Sequence, residues 1–179
     1  EAGITVTSLP GACACITALT MSGQPTRRFA FEAFLPYDKK ERTQILENLR
    51  NETRTIIIYE APHHLKKTLK ECREYLGNRN MTVCKELTKR YEQKRKSTLD
   101  EMIAYYEENE PRGEYVLIFE GKSLQELKEE KQQEWNQLTV QEHMEHYLEK
   151  GMDKKSAMKQ VAKDRGVSKR DIYQELLKK

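Results

Sequence analysis

Hydrophobic residues along the chain fall into two kinds of stretch. Short β-branched and aromatic runs cover Ile4–Ser8, Phe29–Phe34, Thr55–Tyr59, Thr82–Glu86 and Glu114–Glu120, and predict strands. Between them, apolar residues recur every three or four positions and predict helices. Ala12–Met21 is rich in Ala and Leu and is followed by Gly23, a C-cap residue. Lys39–Arg50 puts Ile45, Leu46 and Leu49 on one side. Pro62–Leu76 puts Leu65, Leu69, Cys72 and Leu76 on one face, with Pro62 in the first turn, where its missing N–H is not needed. Leu99–Glu108 is a shorter amphipathic helix, and Tyr91–Ser97 reads either as a polar strand or as an exposed loop. Strands alternating with helices predict an α/β layer structure.

Beyond Gly121 the pattern changes. Residues 123–179 contain no Pro and almost no strand-forming run, so the chain divides into an α/β domain over 1–121 and a helical tail over 122–179. The tail's charge is split, net −4 over 123–150 and net +5 over 151–179. Its last part predicts one helix with Ala157, Val161 and Ala162 along its apolar side, a stop at Gly166, and a second helix capped by Ser168 and carrying Ile172, Leu176 and Leu177. Two short helices about a Gly turn form a helix-turn-helix-like end over 151–179. Lys169 and Arg170 open the second helix, where basic residues suit phosphate oxygens. A basic helical hairpin with a solvated face fits the same pattern.

Composition narrows the class. The 179 residues are 34% charged with a net charge of +3, so overall charge does not dictate a nucleic-acid partner, and local clusters matter more. No apolar run approaches the roughly 18 residues of a membrane span. Four Cys occur, none in a C-x-x-C pair, and read as buried free thiols, in keeping with a reducing cytoplasm. The chain opens "EAGITVTSLPGA", in the middle of a strand-like unit and without Met, which suggests a fragment cut at a domain boundary.

Several chemistries find no support. His63 and His64 are adjacent, His143 and His146 are three apart, and no Cys or carboxylate cluster joins them at metal-like spacing. There is no G-x-S-x-G elbow, no phosphate-binding Gly loop, and no charged neighbour beside Cys13. Three strands instead end in unusual polar segments, Leu9–Ala12, Tyr59–His64 and Glu86–Glu92. Side by side in one sheet they would line a single rim, where open α/β sheets bind ligands. Residues 84–97 hold six basic side chains, among them Lys85, Lys89 and Arg90, against two acids. Such a loop suits an RNA backbone, or is simply solvated.

The segments "LPGACACITALTMSGQPTRRFAFEAFLP", "TIIIYEAPHHLKKTL", "CKELTKRYE" and "RGEYVLIFEG" resemble, in order, the ribosomal RNA small subunit methyltransferase I family. These are S-adenosylmethionine-dependent 2′-O-ribose methyltransferases of the tetrapyrrole methylase fold. The resemblance runs through about residues 1–121. It implies the second domain of that fold, a mixed sheet of about five strands with flanking helices, followed by an all-helical C-terminal extension. The family's methyl donor lies between two α/β domains, so half of the cofactor site would lie outside these residues.

The resemblance places Leu9, Pro10, Gly11, Ala12, Tyr59, Glu60, Ala61, Leu87 and Thr88 against S-adenosylmethionine. It offers Glu60, His63 and Glu86 as candidate proton acceptors facing the cleft, and His64, Lys85, Lys89 and Arg90 as contacts to small-subunit ribosomal RNA, with Lys169 and Arg170 from the tail. It also implies a homodimer. Family members often carry Arg at positions 64 and 85 and Gly at position 33, where this chain has His64, Lys85 and Ala33. Two alternatives remain open: another methyltransferase of the same fold, acting on a small molecule or on diphthine, and a non-enzymatic helix-turn-helix RNA-binding module.

Overall fold

The computed structural model describes residues 3, 5 and 7–177. The chain divides into two compact units, residues 1–122 and 123–179.

The first unit is built on a five-stranded sheet. Its elements are α1 (Ala14–Ser22), β1 (Phe29–Phe34), α2 (Lys39–Leu49), β2 (Thr55–Glu60), α3 (Pro62–Leu76), β3 (Asn80–Lys85), β4 (Gln93–Thr98), α4 (Leu99–Glu108) and β5 (Tyr115–Phe119). The strand order is β1-β2-β5-β3-β4. β1 and β2 are parallel, and the remaining neighbours pair antiparallel. The mixed sheet with flanking helices is the architecture the sequence predicts, but its fifth strand is different. Ile4 and Val6 of the strand expected over Ile4–Ser8 lie outside the described residues, and Thr7–Cys13 has no regular structure. The fifth strand is β4, the polar segment that sequence pattern left between strand and loop.

Burial explains each element. β5 is buried along its whole length and β2 at all but Tyr59, as expected of strands covered on both faces. One face packs Ile56, Ile58, Met81, Val83 and Leu117 under α2, α3 and α4, using the Leu65–Leu69–Cys72–Leu76 stripe of α3. The other face packs Ile57, Cys84, Val116 and Ile118 under Cys15, Ala18 and Leu19 of α1. Cys15, Cys72 and Cys84 are buried, as expected, but Cys13 is exposed, because it lies just outside the first turn of α1.

β1 is irregular. Its register against β2 shifts between Phe31 and Phe34, and Ala33 there has φ +52. A left-handed backbone is strained for a residue with a Cβ, which explains why Gly suits this position.

The second unit contains α5 (Leu124–Asn136), α6 (Val140–Glu149), α7 (Lys154–Asp164) and α8 (Lys169–Leu177). Its small core joins Val140, Met144, Ala157, Met158, Val161, Ala162 and Ile172. α7 gives way to α8 through Gly166 at φ +66, and Ser168 and Asp171 cap α8 reciprocally. His143 is fully buried, stacked on Trp135 with ring centroids 3.9 Å apart. Arg165 donates to its Nδ1, so its proton sits on Nε2, 3.4 Å from the Asp164 carboxylate. No helix among the described residues is long and apolar enough to cross a membrane.

Burial, then the Arg165 charge, holds the His143 pKa below the ordinary value near 6.5. Below that value the unfolded chain therefore binds the proton more readily than the folded one. The helical unit should lose stability as pH falls through about 6.5 toward the folded value, by up to about 1.4 kcal/mol per pH unit. Trp135 is the chain's single Trp, so its fluorescence reports this unit in urea titrations at pH 7.5 and 5.5. His143→Phe should flatten the difference; an unaltered pH dependence in that variant would remove His143 as its source.

Candidate functional site

The ends of β1, β2 and β3 and the start of β5 meet at one edge of the sheet, because β5 runs antiparallel to β2 and β3. A cavity of about 520 Å³ opens there, of a size usual for ligand pockets. Phe34, Tyr59, Glu60, Ala61, Pro62, Leu87, Glu114, Tyr115, Val116 and Ala14 line it, and most of that surface is apolar. A smaller hollow beside it involves Tyr37, Arg42 and His64.

Two tethers fix the end of β2, one on each face. Tyr59 points toward α1, where its hydroxyl oxygen accepts the Cys15 N–H at 2.9 Å. Early N–H groups of a helix lack an internal partner, and the N-cap residue Cys13 makes no side-chain cap bond, so the phenol supplies the missing acceptor. Phe31 and Phe34 meet the Tyr59 ring edge-on at 5.0 and 5.6 Å. Burial raises the phenol pKa, which keeps the hydroxyl neutral.

Glu60 points to the opposite face. Its Oε1 accepts the Ala61 N–H at 2.8 Å and its Oε2 accepts the Thr68 hydroxyl at 2.5 Å. Arg42 donates to Thr68 and to Glu71, each at 2.6 Å, with its guanidinium 4.0 Å from Glu60. Glu60 is 5% exposed. Glu60 thus lines the cavity, as the sequence suggested, while its carboxylate is engaged in an internal network. The reason is the period of two along β2: with Tyr59 turned toward α1, Glu60 must turn toward α3.

The third rim segment is a tight loop. Glu86 and Thr88 have φ +51 and +63. The Glu86 N–H donates to the Glu114 carbonyl, and the Glu114 N–H donates back to the Glu86 carboxylate at 2.9 Å. Lys89 bridges the Glu86 and Glu114 carboxylates at 3.3 and 2.8 Å. The Glu114 N–H and then Lys89 hold the Glu86 carboxyl below its usual range. Gly113 has φ +82, which disfavours other residues, and a Cβ there would stand 2.6 Å from the Glu86 side chain, so Glu86 would have to leave its hydrogen bonds. Glu86 thus fastens the loop, and Leu87 is the residue that reaches the cavity.

The remaining predicted residues divide. Ala61 joins Tyr59, Glu60 and Leu87 at the cavity, whereas Thr88 is exposed and gives its N–H to Glu92. Leu9, Pro10, Gly11 and Ala12 are exposed, and Ala14 rather than these four lines the cavity. His63 is exposed on the first turn of α3, its ring 4.2 Å from that of His64. Lys85 lies in a separate polar groove of about 320 Å³ with Gln93, Tyr105 and Arg112. Arg90 stands 5.5 Å over the Tyr91 ring. Lys169 and Arg170 belong to α8 in the second unit. Sequence pattern did not single out Ala14, Phe34, Tyr115 and Val116 as lining residues, because only the insertion of β5 between β2 and β3 brings them together. Among the described residues no group of three or more His, Cys, Asp or Glu could hold a metal ion.

Known proteins match this chain closely. The family model described as Tetrapyrrole (Corrin/Porphyrin) Methylases covers residues 1–103. The protein named Ribosomal RNA small subunit methyltransferase I of Halalkalibacterium halodurans is 47% identical over 171 residues, which is 96% of this chain and 58% of the relative. Its namesake in Bacillus subtilis is 46% identical over 168 residues, 94% of this chain and 57% of the relative. The chain therefore spans somewhat over half the length of these curated relatives. The crystal structure of the methyltransferase CobJ superposes with a TM-score of 0.53 at 16% identity, covering 67% of this chain and 52% of that one, a likeness of fold alone.

The two tethers can be broken separately. Tyr59→Phe removes the acceptor at the start of α1 and should cost about 1 kcal/mol. Thr68→Val leaves the Glu60 carboxylate and Arg42 without their shared hydroxyl and should cost about 1–3 kcal/mol. Urea midpoints by circular dichroism test both; a wild-type midpoint for either variant would mean that its hydrogen bond does not hold the strand end.

Proposed function

Because this chain belongs to the tetrapyrrole methylase family, we propose that it is the second α/β domain and helical extension of an enzyme that transfers the methyl group of S-adenosylmethionine to a ribose 2′-hydroxyl of small-subunit ribosomal RNA. The observation that carries this reading is the mostly apolar cavity of about 520 Å³ at the strand ends. The basic residues of 84–97 are divided between the end of β3, the charge-balanced loop 86–92 and the edge strand β4. The names and identities of the relatives support the RNA substrate.

The cavity fits such a donor. Ala61, Pro62, Leu87, Tyr115 and Val116 offer apolar walls, and Glu114, whose carboxylate is paired with Lys89, is among the lining residues. The bound donor supplies an electrophilic methyl group. The chain's own task is then to hold the ribose hydroxyl in line, keep water out and accept a proton. A positioned base is worth about 10²–10⁴-fold. Glu60 and Glu86 are engaged in fixing the cavity walls, so we assign them to positioning, and His63, exposed beside Pro62, to the proton. Lys85 at the end of β3 and Arg90 in the loop after it remain the side chains we assign to RNA phosphates, with Lys169 and Arg170 from α8. Lys89 is held by two carboxylates and reaches RNA only by leaving them. The reading also carries a cytoplasmic enzyme acting as a homodimer.

The test is a chimera in which this chain replaces the matching region of the Bacillus subtilis relative. It should bind S-adenosylmethionine by calorimetry and transfer labelled methyl to small-subunit RNA at an alkali-resistant linkage. Leu87→Arg should abolish cofactor binding by filling the cavity. His63→Ala should lower kcat by about 10²-fold or more with little change in cofactor affinity. A chimera that binds cofactor but methylates no ribose would sink the substrate assignment, and one that does not bind it would sink the cofactor. Reversing the charge of Lys85 and Arg90 should weaken RNA binding and lower its salt slope by about two; an unchanged slope would place the phosphate contacts elsewhere.

A further inference from the structure

Two sulfur atoms meet at the first turn of α1, on the edge of the cavity. Cys13 is the N-cap residue, with extended backbone at φ −133 and ψ 111, and is exposed. Cys15 is buried, and its Sγ lies 3.3 Å from that of Cys13. Ala14, between them, lines the cavity, and the Cys15 N–H is the group held by Tyr59. The other two cysteines are unlike this pair. Burial pushes the Cys72 thiol up to about 12 and the Cys84 thiol up to about 11, and the two lie in the cores on opposite faces of the sheet.

The two members of the pair are chemically distinct. The Ile16 N–H, and then the Cys15 thiol, lower the Cys13 pKa, whereas burial raises that of Cys15. An accessible sulfur with enhanced thiolate character beside a sheltered second thiol is the arrangement of an attacking and a resolving cysteine.

We propose that Cys13 and Cys15 form an oxidation site at the cavity edge, at which a hydroperoxide converts the two thiols into an intrachain disulfide. The Cys13 thiolate attacks a peroxide oxygen: an S–O bond forms, the O–O bond breaks, and the departing hydroxide takes a proton to become water. The Cys15 sulfur then attacks the Cys13 sulfenic acid: the S–S bond forms, the S–O bond breaks, and the hydroxyl leaves with the Cys15 proton as a second water. With hydrogen peroxide, two thiols lose two electrons and one peroxide gains them.

Closure has a structural consequence. The sulfurs must approach from 3.3 Å to about 2.05 Å. That movement draws on the first turn of α1, where Ala14 forms cavity wall and Tyr59 holds Cys15. Oxidation therefore disturbs the tether between the end of β2 and α1, and with it the shape of the cavity.

The experiment treats the reduced 179-residue chain with equimolar hydrogen peroxide at pH 7. Intact mass is followed by non-reducing peptide mapping after alkylation. The chain should lose two hydrogens, with Cys13 joined to Cys15 and with Cys72 and Cys84 alkylated only after unfolding. Cys13→Ser should slow oxidation roughly tenfold or more. Cys15→Ser should keep Cys13 reactive toward iodoacetamide but yield no intrachain disulfide. Amide exchange at Cys15 should quicken in the oxidised chain. The proposal falls if Cys13 only gains oxygen, if the bond forms only between chains, or if Cys13→Ser oxidises at the wild-type rate. Unchanged exchange at Cys15 would overturn the coupling to the cavity wall. No arm measures methyl transfer, so these outcomes stand apart from the fate of the proposed function.

Discussion

The first unit depends on five residues, Tyr115–Phe119, being inserted between two strands that come before them in the chain. β5 is buried throughout and pairs with β2 on one side and β3 on the other. Its antiparallel direction puts its beginning where those strands end, so the rim is assembled from segments far apart in sequence. Loop closure must be met before such contacts stabilise anything. The apolar content of "YVLIF" supplies the return, since each fully buried large side chain contributes about 1.5–3 kcal/mol relative to exposure.

Once β5 is seated, β2 has no freedom at its end. Its alternation continues through the last two residues, so Tyr59 reaches one covering layer and Glu60 the other. The tethers differ in character. The phenol satisfies one helix N–H in a mostly apolar setting. The carboxylate joins a network of Thr68, Arg42 and Glu71, which adds little net stability when complete and costs about 3–5 kcal/mol when one of its buried charges is left without its partner. A network of that kind fixes geometry more than it deepens the folded minimum.

The legibility of the sequence follows the range of the interactions. The helices are local: the stripe of α3 and the capping Ser168 are visible as spacings of three and four, and both are where the pattern puts them. The strands with continuous apolar runs are equally plain. β4 is harder to read because Gln93–Thr98 carries no large apolar residue; it is a strand because β3 supplies an edge for it. The rim is legible in part. Tyr59, Ala61 and Leu87 share one cavity, but the direction of the Glu60 carboxylate depends on which residue of β2 faces α1, a register that a run of three consecutive Ile conceals. The contribution of Glu114 and Tyr115 depends on strand order, which no local pattern encodes.

The two borders of the sheet differ in a way that bears on assembly. At one border β4 presents Lys94, Arg95 and Lys96, all exposed, with side chains on both faces. A strand added there would bring identical charges into register, a known guard against edge-to-edge growth. At the other border, the shifted register of β1 around Ala33 breaks the regular ladder that a new strand would need. The sheet is thus a finished tile, unable to lengthen by copying itself sideways. Because helices cover both of its faces, what this unit associates with meets the outer sides of those helices or the ends of the strands rather than the borders of the sheet.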